Sequence, residues 1–221
     1  MLSIFATPVT DEWGTSYQLT TAGYTALVIA MIALLLIGCA IFGCKRKFSA
    51  KQLTFSAMAI ALAMVTSMLK LGDLPFGGSI TLCSMLFIVL IGNWYGFGVG
   101  LTSALAYGIL QLVVDPYIIS LPQMLIDYLF AFGALGLAGV FWKSKNGLIK
   151  GYILGILGRF AFATLSGYIF FPTFMPEYFN SPLIYSMCYN AAYIVPEAIL
   201  TLVLISLPPV RKALDHVKSL A

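Results

Sequence analysis

The feature that most constrains this chain is a succession of long apolar runs. About 20 helical residues are needed to cross the roughly 30 Å hydrocarbon core of a bilayer, and several of the runs reach that length. Only 9% of the residues are charged, whereas a soluble domain carries about 25%, so the chain cannot cover a water-facing surface. The runs do not alternate apolar and polar positions, as barrel strands do. The sequence therefore predicts an all-α membrane protein.

Seven apolar runs predict seven transmembrane helices, with breaks at Gly-rich, Pro-rich or charged segments. Their expected ranges are 22–43, 53–70, 80–92, 97–114, 121–141, 148–171 and 183–207. The first run lies in an N-terminal extension (residues 1–48), the other six form a membrane domain (residues 49–210), and residues 211–221 form a short tail. An outer loop is expected over residues 72–79.

Charge placement predicts the orientation of these helices. Basic residues share one side of the seven-helix arrangement, and the positive-inside rule makes that side cytoplasmic: Lys45, Arg46, Lys47, Lys51, Lys143, Lys145, Lys150, Arg211, Lys212 and Lys218. Acidic residues in the connections fall on the other side: Asp11, Glu12, Asp73, Asp115 and Glu177. We therefore expect the N-terminus outside and the C-terminus in the cytoplasm. Lysines flanking apolar helices do not indicate a nucleic-acid partner.

Three charged residues lie inside expected helices, where each costs roughly 2.5–3.5 kcal/mol at the bilayer centre. These are Asp127, Arg159 and Glu197. A structural ion pair between Arg159 and Glu197 is one interpretation. Asp127 lies only about two helical turns below the outer surface, where its carboxylate can meet a cation or amino group arriving from outside. We expect it to have a functional role.

The last apolar run carries a polar aromatic stripe. Tyr185, Tyr189, Tyr193 and Glu197 follow at a spacing of four, which places them on one helix face, and Asn190 lies beside them. An interfacial tyrosine belt explains Tyr185 near the surface but not the deeper residues. Aromatic rings beside a carboxamide suit a flat heteroaromatic ligand that is stacked on its face and hydrogen-bonded at its edge.

Signatures of catalysis are missing from the sequence. There is no G-x-x-x-x-G-K-[ST] phosphate loop, the single histidine (His216) is in the tail, and no Ser/His/Asp or H-E-x-x-H arrangement is found. The four cysteines show no metal-ligand spacing. The sequence favours a protein that captures or moves a small molecule, with no metal and no cofactor, over an enzyme.

An ordered set of short motifs resembles the thiamine-specific S component of energy-coupling factor (ECF) transporters. The match covers about residues 50–210, and its motifs are FGGSITL (76–82), DYLFAF (127–132), GLAG (136–139), Arg159 with SGYIFF (166–171), YSMCYN (185–190) and Pro196-Glu197. Each motif is weak alone, but their order is specific. The resemblance implies a six-helix vitamin-binding subunit of a bacterial cell membrane, with its site near the outer face under a loop lid.

The same resemblance implies partners and site residues. The partners are a transmembrane coupling protein and two ATPase subunits, which supply the energy. An alanine pair, Ala57 and Ala61, maps to the face that docks the coupling protein. The substrate-binding positions of the family map to Asp127, Tyr128, Phe171, Tyr185, Asn190 and Tyr117.

Two positions depart from the pattern of thiamine-binding relatives. Ala163 stands where they carry histidine, and Phe171 stands where they carry a stacking tryptophan. A site without one polar contact can lose affinity or suit a ligand that lacks the matching group. Thiamine remains the expected substrate, with a thiamine precursor pyrimidine or another flat heterocycle as the alternative.

Two other classes of function stay open at this stage. A self-sufficient proton-coupled carrier would use Asp127, Arg159 and Glu197 as a relay. A purely structural subunit would bind no small molecule. The additional first helix is also a departure from the six-helix pattern.

Overall fold

The computed structural model describes residues 4, 6–11, 14–23, 25, 26, 29 and 48–221. Two strands, β1 (Ala6–Asp11) and β2 (Gly14–Leu19), form an antiparallel pair near the N-terminus. Most of the expected first helix (22–43) lies outside the described residues, so the count of seven transmembrane helices stays a prediction.

Six helices lie where the apolar runs of residues 49–210 place them, followed by a seventh in the tail. They are α1 (Ala50–Met68), α2 (Ser84–Tyr95), α3 (Phe97–Val114), α4 (Leu121–Phe141), α5 (Gly147–Phe170), α6 (Pro182–Ser206) and α7 (Pro208–Leu220). Five of them, α1 and α3–α6, are long and apolar enough to cross a membrane, and α2 is shorter. The described chain is a multi-pass helical membrane protein.

The segment between α1 and α2 differs from the expected plain loop. Strands β3 (Lys70–Asp73) and β4 (Ser79–Thr81) pair as an antiparallel hairpin. As a result, α1 ends at Met68 rather than at residue 70, and α2 begins at Ser84 rather than at residue 80. The apolar character of residues 80–83 suggested helix, but residues 79–81 instead pair as a strand with residues 70–73.

Helix α4 is irregular along its length. A regular turn (Leu121–Met124) leads into a π-helical segment (Leu125–Phe130), and the helix ends as a 3₁₀ segment (Ala134–Phe141). Glycines bring its second half against α3: a Cβ on Gly136 would lie 2.5 Å from the Cα of Leu101. This backbone contact is the small-residue packing that associates helices in lipid.

The expected tail is an amphipathic helix, α7. Leu214 packs against the core, while the Arg211 guanidinium donates to Asn146 Oδ1 (2.5 Å) and the Lys218 ammonium donates to Asn93 Oδ1 (3.2 Å). These bonds tie α7 to the α4–α5 connection and to α2. Arg211 and Lys218 therefore lie at the same end of the helix bundle as the α4–α5 connection.

Candidate functional site

A cavity of about 150 Å³ lies at the end of the bundle opposite α7. Since about 10–15 Å³ of such space holds one buried water, the cavity has room for a small molecule. All six positions expected to bind substrate line it: Tyr117, Asp127, Tyr128, Phe171, Tyr185 and Asn190. Ala163 lines it too, so the missing histidine leaves an apolar patch of wall. Ala57 and Ala61 lie elsewhere, on the exposed face of α1.

The Asp127 carboxylate is placed in the cavity by the π-helical segment of α4. Such segments alter the direction of side chains and are frequent at functional sites. The Gln123 amide, one turn earlier and fully buried, donates from Nε2 to Asp127 Oδ2 (2.7 Å) and to the Tyr117 carbonyl (3.1 Å). Its Oε1 accepts from the backbone N–H of Ile119 (3.0 Å). One side chain therefore fixes both the carboxylate and the loop after α3.

Tyr128 contributes its ring to the wall, but its hydroxyl is used within the protein. The hydroxyl accepts from the backbone N–H of Tyr117 (2.8 Å) and donates to the Asp115 carbonyl (2.9 Å). These bonds fix the loop that carries Tyr117, whose ring stacks on Phe171 with centroids 6.1 Å apart and planes at 21°. The aromatic wall of the cavity is thus held in place by Tyr128.

Asn190 is also largely engaged by its neighbours. Its Nδ2 donates to the carbonyls of Ser186 (2.9 Å) and Ala163 (3.2 Å), and its Oδ1 accepts from the Tyr193 hydroxyl (2.7 Å). A carboxamide has two N–H donors and two acceptor lone pairs. Only an acceptor position on Oδ1 therefore remains for a ligand, which would have to present an N–H or O–H group.

The expected ion pair between Arg159 and Glu197 is wrong: no carboxylate oxygen among the described residues lies within 4.0 Å of the Arg159 guanidinium. That guanidinium lies 4.1 Å from the centroid of the Phe132 ring and lines the cavity. Arg159 therefore brings a positive charge to the cavity. The ion-pair interpretation had this charge neutralised by Glu197.

Glu197 is buried and caps α2 instead. Its carboxylate accepts from Thr81 Oγ1 (2.6 Å), Ser84 Oγ (3.2 Å) and the backbone N–H of Met85 (3.2 Å). The N-terminus of a helix carries a partial positive charge and free N–H groups, so it can hold an anion without a basic partner. This is the physical reason why the pairing with Arg159 fails.

The hairpin covers the mouth of the cavity. Its turn, residues 75–78, is the lid loop, and it places the ring of Phe76 4.8 Å from Phe174 and 6.5 Å from Phe171.

Lys70 at the base of the hairpin contacts Asp73 (3.3 Å) and Asp115 (2.8 Å). The hydrogen bond that the Lys70 ammonium donates to Asp115 raises the pKa of Lys70. A lysine with a raised pKa keeps its proton up to at least the unfolded value of about 10.4. The contacts of Lys70 with Asp73 and Asp115 are therefore intact across the neutral range.

Sequence reasoning missed several cavity residues. Gln123 could have been found, because it precedes Asp127 by four residues and shares its helix face. Phe76 lies inside a motif that carried the resemblance, but its role was not assigned. Tyr107 and Gln111, which are hydrogen-bonded to each other (2.5 Å), gave no separate signal in an apolar helix.

Comparison with known proteins places the chain among transporters. The family described as thiamine transporter protein matches residues 53–215. The chain belongs to this family. The thiamine transporter ThiT of Bacillus subtilis (strain 168) is 34% identical over 167 residues, which cover 69% of this chain and 84% of that protein. The solved structure of ThiT from Listeria monocytogenes matches with a TM-score of 0.61 at 23% identity, covering 72% of this chain and 94% of that one. The latter likeness shows a shared fold.

Proposed function

We propose that this chain is the substrate-binding subunit of an ECF-type transporter and that it captures thiamine at the outer face of a bacterial cell membrane. The observation that carries the proposal is one cavity in which a carboxylate, Asp127, faces aromatic walls formed by Tyr117 and Phe171. Membership of the thiamine transporter family and the names of the two relatives support thiamine as the ligand.

The chemistry of thiamine suits these groups. Its thiazolium ring carries a positive charge and its pyrimidine ring carries an amino group. Asp127 offsets the charge or accepts a hydrogen bond from the amine, and the free acceptor position on Asn190 takes a second N–H. The faces of Phe171, Tyr117 and Tyr185 pack on the flat rings, with aromatic contacts each contributing about 0.5–1.5 kcal/mol beyond burial.

The test is thiamine binding to the purified protein, measured by calorimetry, for the native protein and for Asp127→Asn. Loss of a charge-assisted hydrogen bond of about 1.5–3 kcal/mol should weaken binding roughly tenfold to 150-fold. Glu177→Gln, an exposed carboxylate outside the cavity, serves as the control and should bind as the native protein does. Equal affinity for Asp127→Asn would remove this residue from the site, and no binding by the native protein would remove thiamine.

A thiamine precursor pyrimidine is a second candidate, and Ala163 is the observation that favours it. An alanine in the wall supplies no hydrogen bond to the part of the ligand it faces. A ligand that lacks the matching polar group would lose nothing there. Competition calorimetry with the free aminopyrimidine decides between the two, because the tighter of the two ligands is the substrate.

The transport step in this proposal belongs to partners. A transmembrane coupling protein would dock on the α1 face that carries Ala57 and Ala61, and two ATPase subunits would hydrolyse ATP. The domain division follows: residues 1–48 are an extension, residues 49–210 bind substrate, and residues 211–221 are cytoplasmic. In proteoliposomes, uptake should require all the partners. Uptake by this chain alone would favour the proton-coupled carrier.

A further inference from the structure

We propose that Tyr189 is a positioning residue that holds the lid loop closed over the cavity through its hydroxyl group. Tyr189 is not among the expected substrate-binding positions. This inference rests on the proposed function, since a closed lid slows release only if the cavity holds a ligand.

The Tyr189 hydroxyl joins both ends of the lid loop. It donates a hydrogen bond to the Pro75 carbonyl and accepts one from the backbone N–H of Gly78 (3.0 Å). Inside the hairpin, the N–H of Leu74 donates to the Gly78 carbonyl (2.7 Å), which closes the turn on itself. The contacts with Tyr189 therefore attach the closed turn to α6.

The backbone of the lid loop needs such an attachment. Phe76 has φ = 66° and Gly77 has φ = 87°. The left-handed region is unfavourable for a bulky residue such as phenylalanine, and it persists only where surrounding contacts determine it. The hydrogen bonds of Tyr189 lie on either side of this pair. They hold the conformation that points the Phe76 ring at Phe171 and Phe174 across the cavity mouth.

The two hydrogen bonds of the Tyr189 hydroxyl to the lid loop are called the latch below. Gly78 allows the close approach between the loop and Tyr189 that the latch requires. A Cβ at this position would lie 2.6 Å from the Tyr189 hydroxyl oxygen and 3.0 Å from Cδ1 of Tyr193. Any side chain here would force either the lid loop or the Tyr189 side chain to move, and either shift would disturb the two hydrogen bonds. Gly72, in strand β3 of the same hairpin, is different: a Cβ there would make an ordinary 3.7 Å contact with Ile80.

The latch is also adjacent to the floor of the site. The Tyr189 ring lies 5.9 Å from that of Tyr193, and Tyr193 donates its hydroxyl to Asn190. Tyr193 thus connects Asn190, and any ligand that contacts Asn190, with Tyr189. Tyr189 itself lines the cavity, and because its hydroxyl is bonded to the lid loop, we expect its removal to act on the rate of ligand release.

The experiment compares Tyr189→Phe and Gly78→Ala with two matched controls, Tyr178→Phe and Gly72→Ala. Tyr178 is an exposed tyrosine outside the cavity. Removing two hydrogen bonds should raise the thiamine dissociation rate, measured by stopped-flow fluorescence, about tenfold or more. The controls should release thiamine at the native rate. Amide hydrogen exchange of residues 76–78, measured without ligand, should accelerate by a similar factor in the two test variants alone.

Native exchange and native release in Tyr189→Phe would overturn the proposal. The ligand-free exchange separates this outcome from failure of the proposed function: if no variant binds thiamine yet exchange accelerates, the latch stands and the ligand is wrong. If Tyr189→Phe loses its fold, shown by a lower melting temperature and exchange throughout α6, Gly78→Ala decides, because it moves the loop and keeps every hydroxyl. Native behaviour of Gly78→Ala would then overturn the proposal.

Discussion

At the scale of single residues, the cavity depends on side chains that a ligand need not touch. Asp127 is oriented by Gln123, and Tyr117 is held by both Gln123 and Tyr128. A buried polar network of this kind is rigid when every group is satisfied and costly when one partner is removed. Recognition and positioning are therefore divided between different residues of the same wall.

Replacement of Gln123 by leucine should affect binding as well as stability. The change removes the donor to Asp127 and leaves the half-buried N–H of Ile119 without its acceptor, which costs roughly 1–3 kcal/mol of unfolding free energy. Because the carboxylate and the Tyr117 ring lose their common support, thiamine affinity should fall at least about tenfold. Chemical unfolding in detergent and calorimetry measure the two effects.

The control for Gln123→Leu is Ser120→Ala. Ser120 Oγ accepts from the backbone N–H of Gln123 (3.3 Å) at the start of α4, and it does not line the cavity. Its loss should lower stability by about 1 kcal/mol, as for other N-caps, and leave affinity unchanged. Equal affinity losses in both variants would mean that Gln123 acts only through the stability of α4.

At the scale of elements, a single carboxylate of α6 bonds to both the hairpin and α2. Glu197 caps α2 through Ser84 and Met85 and reaches the end of β4 through Thr81. This places a fixed attachment, Glu197, at the deep end of the hairpin and the Tyr189 contacts at its tip. Glu197 therefore holds the deep end of the hairpin, and under the proposed role of Tyr189 the tip is the part that opens.

Glu197→Gln should destabilise the fold without abolishing binding. Glutamine keeps one acceptor oxygen but loses the negative charge at the helix N-terminus and offers an N–H where an acceptor is needed. The expected loss is roughly 1–3 kcal/mol, measured as unfolding free energy in detergent. An unchanged unfolding free energy would contradict the capping role of Glu197.

Elements that are determined by the length of an apolar run could be predicted from the sequence. Elements that depend on contacts with distant segments of the same chain could not. Helices α3, α4 and α6 lie close to their expected ranges, because a run of about 20 apolar residues has few alternatives in lipid. The β3–β4 pairing has no such signal, since residues 70–81 form a short mixed segment.

The partner of Glu197 was mistaken for Arg159, because charge complementarity suggested a basic side chain. In the structure, the carboxylate is instead bound at the N-terminus of α2. Buried charge and helical spacing had already indicated Asp127, Tyr185 and Asn190. Tyr117, Tyr128 and Phe171 came from the resemblance, and the positioning role of Gln123 came only from the structure.

At the scale of the whole molecule, two surfaces are separate from the cavity. Helix α1 is the least buried of the five long helices, and Ala57 and Ala61 lie in its exposed face among Leu53, Met58, Leu62 and Val65. Small residues flanked by large apolar ones allow another helix to approach closely in a membrane. The second surface is the basic end of the bundle, which α7 closes.

The docking role of α1 is tested by tryptophan substitution. Ala57→Trp and Ala61→Trp fill the space that a partner helix would occupy, so the yield of complex with the coupling protein and ATPases should fall about tenfold or more. Thiamine affinity should not change, because neither residue lines the cavity. Ala192→Trp, at an exposed alanine of α6, is the control and should assemble normally. Normal assembly of all three variants would exclude this face of α1.

The orientation of the molecule follows from the same separation of surfaces. The bonds from Arg211 to Asn146 and from Lys218 to Asn93 bring the basic residues to one end, while Glu177 and Asp115 lie at the cavity end. Because the positive-inside rule retains basic connections in the cytoplasm, the cavity should open outward, where a vitamin arrives.

Labelling with a membrane-impermeant maleimide tests this orientation in intact cells. In a background with the four native cysteines replaced, Glu177→Cys should react from outside, whereas Lys145→Cys should react only after the membrane is opened. Both positions are exposed in the folded protein, so a difference in reactivity reports the side of the membrane rather than burial. The reverse pattern would place the cavity in the cytoplasm. A site that faces inward cannot capture a vitamin from the medium, so that result would also reject the proposed direction of uptake.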